Sequence, residues 1–155
     1  MIAIDIPGAQ TLRIEHIALD YNGTLAVDGK LLPGVAERLR TLAEHVVIHI
    51  LTADTFGSAA KELTGLPVTL RILPPEAQDE AKRIVVAGLS GEVMAVGNGR
   101  NDVLMLREAA LGVAIVQAEG ASSAALREAD VVSLSVVDAL DLLLRPDRLR
   151  ATLRK

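Results

Sequence analysis

Short apolar runs bounded by turn residues recur along the chain, over residues 14–19, 46–51, 68–73, 93–96, 112–116 and 131–134. They are rich in β-branched residues and nearly continuous, as strands are when helices cover both faces of a parallel sheet. The stretches between them carry helical spacing. Val35, Leu39 and Leu42 repeat at i, i+4, i+7, and Ala77, Ala81, Ile84 and Val85 form a second apolar stripe. Pro33 and Pro75 fall where first helical turns are expected, the second opening a helix over residues 76–89. This alternation predicts an α/β fold built on a doubly wound, mostly parallel sheet. Residues 2–6 and 12–17, on either side of Pro7-Gly8, predict a leading β-hairpin. No repeat, linker or low-complexity segment interrupts the pattern, so residues 1–155 read as a single domain.

Composition narrows the chemistry. Half the residues are apolar, enough for a sizeable core, and the only aromatics are Tyr21 and Phe56. The absence of Cys excludes disulfides, thiolate metal sites and a Cys nucleophile. A net charge of −4 speaks against a broad nucleic-acid surface. The arginines at 145, 148, 150 and 154 read as a solvated final helix. Apolar stretches are broken by charges well short of the ~20 residues a membrane span needs. The N-terminus lacks a basic region ahead of an apolar run, so no signal peptide is expected and the expected compartment is the cytoplasm.

In such a sheet, ligands bind beyond the carboxyl ends of the strands, where strand order reverses. The residues immediately after three of the predicted strands are Asp20-Tyr21-Asn22-Gly23-Thr24, Thr52-Ala53-Asp54 and Gly97-Asn98-Gly99-Arg100-Asn101-Asp102. Carboxylates, amides, a threonine and glycines gather there without an apolar purpose. That is the chemistry of a metal-bound phosphate site.

These three segments, in this order and spacing, resemble the motifs of the haloacid dehalogenase (HAD) superfamily. IALDYNGTLA matches a strand ending in Asp-x-Asp-Gly-Thr, IHILTAD matches a strand ending in Thr or Ser, and AVGNGRNDVLML matches Gly-Asp-Gly-x-Asn-Asp. EAALGVAIVQAEGA and ALREADVV are similar to the segments downstream of this last motif in the phosphorylation domain of P-type ATPases. The resemblance implies a HAD-like Rossmannoid three-layer sandwich. It makes Asp20 the nucleophile that forms an aspartyl-phosphate. It implies Mg²⁺ held by the Asp20 carboxylate, the Asn22 main-chain carbonyl and the Asn98 side chain, with Asp102 in support or bound through water. Gly23, Thr24, Thr52 and Ala53 would contact the phosphoryl group, and a Lys would pair with its charge. Lys82 is the leading candidate, with Arg83 adjacent and Lys61 after the second motif leaving the register open. His16, His45 and His49 have no metal-ligand spacing and match no motif position.

Two positions depart from the family, and both replace Asp with Asn. Position 22 holds the general acid and base of HAD phosphatases, and a carboxamide can fill neither role. P-type ATPases place a Thr there and still phosphorylate their Asp from an anhydride, whose leaving group needs little protonation. Asn22 therefore points to anhydride or acyl-phosphate substrates, or to a long-lived phosphoenzyme. Asn98 offers a metal a neutral oxygen in place of a charged one. Two functions fit these residues: a Mg²⁺-dependent phosphohydrolase or phosphotransferase, slow on simple phosphomonoesters, and a phosphate-binding or regulatory protein that kept the fold.

Only 27 residues separate Thr24 from Thr52 and 29 separate Thr52 from Lys82, too few for a cap domain. Residues 26–31 around Asp28-Gly29 allow a small flap hairpin at most. A cap-less site must exclude water by self-association or by docking a large phosphorylated substrate, so a homo-oligomer is expected. Tyr21, directly after the nucleophile, is expected to line the pocket mouth.

Overall fold

The computed structural model describes residues 1–155. Strand β1 (Ile2–Asp5) runs antiparallel to the first part of β2 (Thr11–Asp20), pairing Ile2 with Ile14 and Asp5 with Thr11. This is the leading hairpin that the sequence predicts around Pro7-Gly8. A flap of two two-residue strands, β3 (Ala26–Val27) and β4 (Lys30–Leu31), follows β2. The remaining strands are β5 (Val47–Thr52), β6 (Thr69–Ile72), β7 (Glu92–Gly97), β8 (Leu111–Ile115) and β9 (Val131–Ser133). They join β2 in the order β6-β5-β2-β7-β8-β9, every pair parallel. The chain winds outward from β2 through β5 to β6, then returns to the other side of β2 for β7. Strand order reverses at β2, and a crevice opens there above the strand ends.

The helices are α1 (Val35–Ala43), α2 (Ser58–Glu62), α3 (Gln78–Ala87), α4 (Val103–Glu108), α5 (Ser123–Glu128), α6 (Val136–Leu144) and α7 (Pro146–Leu153). One face of the sheet carries the larger core. Ile17 and Leu19 of β2 pack there with Val35, Leu39 and Leu42 of α1, Leu140 of α6 and Leu149 of α7. The opposite face has a smaller core of Ala18, Ala95 and Leu51 under Val86 of α3, Met105 and Leu106 of α4 and Ala125 of α5. The result is a three-layer α/β sandwich with a mostly parallel sheet. None of its helices is long and apolar enough to cross a membrane.

Side chains alternate along a strand, so Asp20 shares the face of Ala18 and points under α3 and α4. On α3 the structure corrects the sequence reading. The apolar stripe predicted on Ala77, Ala81, Ile84 and Val85 meets the core only in part: Ala77 and Ile84 are exposed, and Val85 is partly buried against the smaller core. The fully buried positions are Lys82 and Val86, one turn apart. The prolines also stand outside their helices. Residues 34 and 77 pass through the left-handed region after them, with φ of 82° and 51°, and the helices begin at Val35 and Gln78. The stripe on α1 packs inward as its spacing predicts.

Candidate active site

Three strand ends and one helix build the site. Asp20 ends β2 and is almost fully buried, with Lys82 Nζ 2.7 Å from Oδ1 and the Thr24 hydroxyl donating to Oδ2 at 3.1 Å. Lys82 also reaches Asp102 Oδ1 at 2.7 Å. The other Asp102 oxygen accepts from the main-chain N–H of Asn98 at 2.9 Å and of Gly99 at 2.8 Å, which fixes the loop after β7. Gly97 allows this approach, since a Cβ there would stand 2.4 Å from the Asp102 carboxyl carbon. Of the three basic candidates, Lys82 is the one the fold brings to Asp20. Arg83 pairs on the surface with Glu80 and Glu108, and Lys61 is exposed on α2.

One ammonium thus serves two buried carboxylates. Burial, then the charge of Asp102, push the Asp20 carboxyl up to about 7, against the pull of Lys82 and Thr24. Burial works against the Lys82 ammonium, but Asp20 and Asp102 outweigh it and hold its pKa above the ordinary lysine value. Two carboxyl groups share one ammonium next to an open space, and a cation there would favour the ionised form of Asp20.

The remaining motif residues line or floor that space. Asn98 Oδ1 lies 3.3 Å from the Thr24 hydroxyl, so Asn98 and Asp20 meet across Thr24. Asn22 is exposed at the edge of the cleft. Thr52 ends β5 with its Oγ1 accepting from the Asp54 N–H at 3.2 Å, and Ala53 lines the cleft beside it. Asp54 caps α2, accepting from Ala59 N–H at 2.8 Å and Ala60 N–H at 3.2 Å. The cleft encloses about 690 Å³, with Asp28 of the flap and Phe56 on its walls.

The donor set suits a hard divalent cation: the Asp20 carboxylate and the Asn98 amide oxygen face one space from two strand ends. No three His, Cys, Asp or Glu side chains converge as a metal cluster anywhere in the chain. Amides stand where a carboxylate-rich site would need acids.

Tyr21 does not line the mouth. Its ring is fully buried in the larger core and its hydroxyl donates to the Gly29 carbonyl at 3.1 Å, tying the flap to β2. Strand alternation turns it away from the face that carries Asp20. Phe56 stands at the cleft with 94 % of its surface exposed. Two residues absent from the three motifs also belong here. Gln117 donates to the carbonyls of Thr24 at 3.0 Å and Gly23 at 3.4 Å and accepts from Val136 N–H at 2.7 Å. Glu119 lines the cleft. Both come just after β8, so the rule that singled out the other strand ends would have found them.

No family model matches the chain. A soluble P-type ATPase-like phosphatase of Methanocaldococcus jannaschii is 31 % identical over 137 residues, which cover 84 % of this chain and 50 % of that one. The chain therefore spans half the length of this relative. An uncharacterized protein of the same organism is 46 % identical over 63 residues, 41 % of this chain and 68 % of that one. Among solved structures, 3-deoxy-D-manno-octulosonate 8-phosphate phosphatase of Moraxella catarrhalis, in complex with magnesium and phosphate ions, superposes with a TM-score of 0.71. It shares 16 % identity over 91 % of this chain and 94 % of its own. A zinc-transporting PIB-type ATPase superposes with a TM-score of 0.58 at 26 % identity, covering 79 % of this chain and 20 % of that one.

Proposed function

We propose that the chain, which shares the fold of HAD-family phosphatases and 31 % identity with a soluble P-type ATPase-like phosphatase, is a haloacid dehalogenase superfamily member: a Mg²⁺-dependent phosphohydrolase or phosphotransferase acting through an aspartyl-phosphate on Asp20. The observation that carries this reading is the placement of Asp20. It is a buried carboxylate on the floor of an open cleft, its oxygens oriented by Lys82 and Thr24. One Asp20 oxygen attacks phosphorus, the bond to the leaving group breaks, and that group departs with the electron pair. Water then attacks the phosphoryl group, releasing phosphate and restoring the carboxylate. Lys82 and the Thr52 hydroxyl offset and orient charge on the phosphoryl oxygens, with Ala53 beside them at the cleft, whereas the Gly23 and Thr24 N–H groups already donate to the Ala26 and Tyr21 carbonyls. Asp20, Asn98 and the Asn22 carbonyl would hold the metal, which would supply charge neutralisation at the phosphoryl group. Asp102 positions Lys82 and the loop that carries Asn98.

Asn22 gives the leaving group no proton, so acyl phosphates and anhydrides are the favoured substrates over alkyl monoesters. The same residue, with Asn98, supports a second reading, a phosphate-binding regulatory protein with little turnover. The cleft has no cap over it, and a second copy of the chain or a large substrate is proposed as its cover. Sedimentation at high concentration tests the first.

Phosphate release from acetyl phosphate and from p-nitrophenyl phosphate, with Mg²⁺ and an Asp20→Ala control, separates the two functional readings. Faster release from acetyl phosphate, lost in Asp20→Ala, is expected. Beryllium fluoride with Mg²⁺ is expected to raise the melting temperature of the native protein and not of Asp20→Ala. A shift without turnover favours the regulatory reading, and no shift at millimolar ligand rules out an intact phosphoryl site.

A further inference from the structure

The loop after β8 is fastened to both segments that would hold the metal. Gln117 bonds the carbonyls of Gly23 and Thr24, Asn98 Nδ2 donates to the Gly120 carbonyl at 3.0 Å, and Ser122 N–H donates to the Asn98 carbonyl at 2.8 Å. Between these ties stands Glu119. Its carboxylate makes no hydrogen bond or ion pair with the rest of the chain, although the neighbouring residues are pinned. It occupies a space that only glycine leaves free: a Cβ on Gly23 would lie 2.4 Å from Glu119 Oε2, and 2.6 and 2.9 Å from Asn98 Nδ2 and Oδ1. Gly23 also has φ of 79°, a region side chains rarely adopt, so backbone and packing both call for glycine there. The Glu119 carboxylate and the Asn98 amide therefore converge over one point, at the cleft, beside Asp20.

We propose that Glu119 is a carboxylate donor to the divalent cation, supplying from the loop after β8 the negative charge that Asn98 lacks. The inference rests on the phosphoryl-site reading and deepens it: the ligand charge absent at position 98 returns from the loop after β8. A hard cation prefers a charged oxygen to an amide oxygen, and the cradle over Gly23 brings one within reach of Asn98.

Mn²⁺ binding, followed by the electron paramagnetic resonance of the free ion, tests this without reference to turnover. Intact mass verifies that Asn22 and Asn98 keep their amides in each sample. Glu119→Gln is expected to weaken Mn²⁺ binding by about 10-fold or more, the loss typical of a disturbed metal environment. Adding Asn98→Asp to Glu119→Gln is expected to restore binding to near the wild-type level, because the charge returns on the neighbouring side chain. Asp28→Asn, which removes an equal charge from the cleft wall and keeps a residue suited to φ of 51°, is expected to leave binding unchanged. A Glu119→Gln dissociation constant within about twofold of wild type overturns the assignment. So does an equal loss in Asp28→Asn, which would trace the effect to the general field of the cleft. If neither the wild-type protein nor Asn98→Asp binds Mn²⁺, the phosphoryl-site reading fails and this inference with it.

Discussion

The two ends of β2 and β5 both bury a polar cluster, and the clusters differ in how they keep their charge. At the carboxyl end, the Lys82 ammonium stands between the Asp20 and Asp102 carboxyl groups, 2.7 Å from each. At the amino end, Arg71 Nε donates to His49 Nδ1 at 3.3 Å, His49 Nε2 meets His16 Nδ1 at 3.2 Å, and His16 Nε2 meets the Ser90 carbonyl at 3.0 Å. With Nδ1 accepting from Arg71, His49 carries its proton on Nε2. Burial, then Arg71 and His16, lower the His49 pKa to about 4. Both ends thus contain a strongly shifted group, and the shift by itself does not mark the candidate site. What marks it is access. Asp20 floors a cleft of about 690 Å³, whereas both His49 ring nitrogens already have partners. No buried side-chain polar atom in the chain is left unpartnered, so the stored potential lies in the open cleft and not in a buried defect.

Removing the cation from each cluster sets the comparison at its sharpest. Lys82→Met leaves two buried carboxylates facing each other and is expected to lower the unfolding free energy in urea by about 3–5 kcal/mol, with turnover lost. Arg71→Met removes one partner of a neutral ring and is expected to lower it by about 1 kcal/mol. Equal losses would break the distinction between the two ends. The next effect in size is a gain. Asn22→Asp is expected to speed hydrolysis of p-nitrophenyl phosphate by about 10²–10⁴-fold by restoring a general acid and base. A steady-state rate that does not rise would mean that position 22 does not serve the leaving group.

Acid should act on the amino end. A base whose folded pKa lies below its unfolded value binds more protons when unfolded, so stability is full above pH 6.5 and falls as the pH drops toward 4. At about one pH unit below the unfolded value, His49 accounts for a loss of about 1 kcal/mol. Thermal unfolding of His49→Gln, whose amide has both a donor and an acceptor for the same neighbours, is expected to show a shallower decline over this window. Identical slopes would place the acid sensitivity elsewhere. The smallest effects separate the two aromatics. Tyr21→Phe loses the bond to the flap and about 1 kcal/mol of stability. Phe56→Ala is expected to stay within about 0.5 kcal/mol of wild type while raising KM, since the ring packs against nothing and stands at the cleft. A stability loss in Phe56→Ala and a KM effect in Tyr21→Phe would reverse these roles.

Much of the site was legible along the chain, because strands buried on both faces must be apolar throughout and leave polar residues only at their ends. That rule located Asp20, Thr52 and Asn98. It also applies to Gln117 and Glu119, which the motif pattern passed over because they come after a strand outside the three motifs. Lys82 was recognisable as a candidate but not separable from Arg83 or Lys61 by sequence. Apolar spacing put the core face of α3 on Ala81, Ile84 and Val85, and a lysine at a core position is invisible to a pattern that counts apolar residues.

The sequence by itself determined the layered α/β fold, the leading hairpin, the absence of room for a cap and the strand-end chemistry, since each comes from local periodicity or chain length. Tertiary structure decided what depends on residues far apart in the chain. The rotation of α3 is set by the two carboxylates that Lys82 must reach, one 62 residues before it and the other 20 after. The burial of Tyr21 is set by the face on which β2 presents it, and the place of Glu119 by a glycine on another strand end. A buried charge requires its partner in space, and no local pattern carries that requirement.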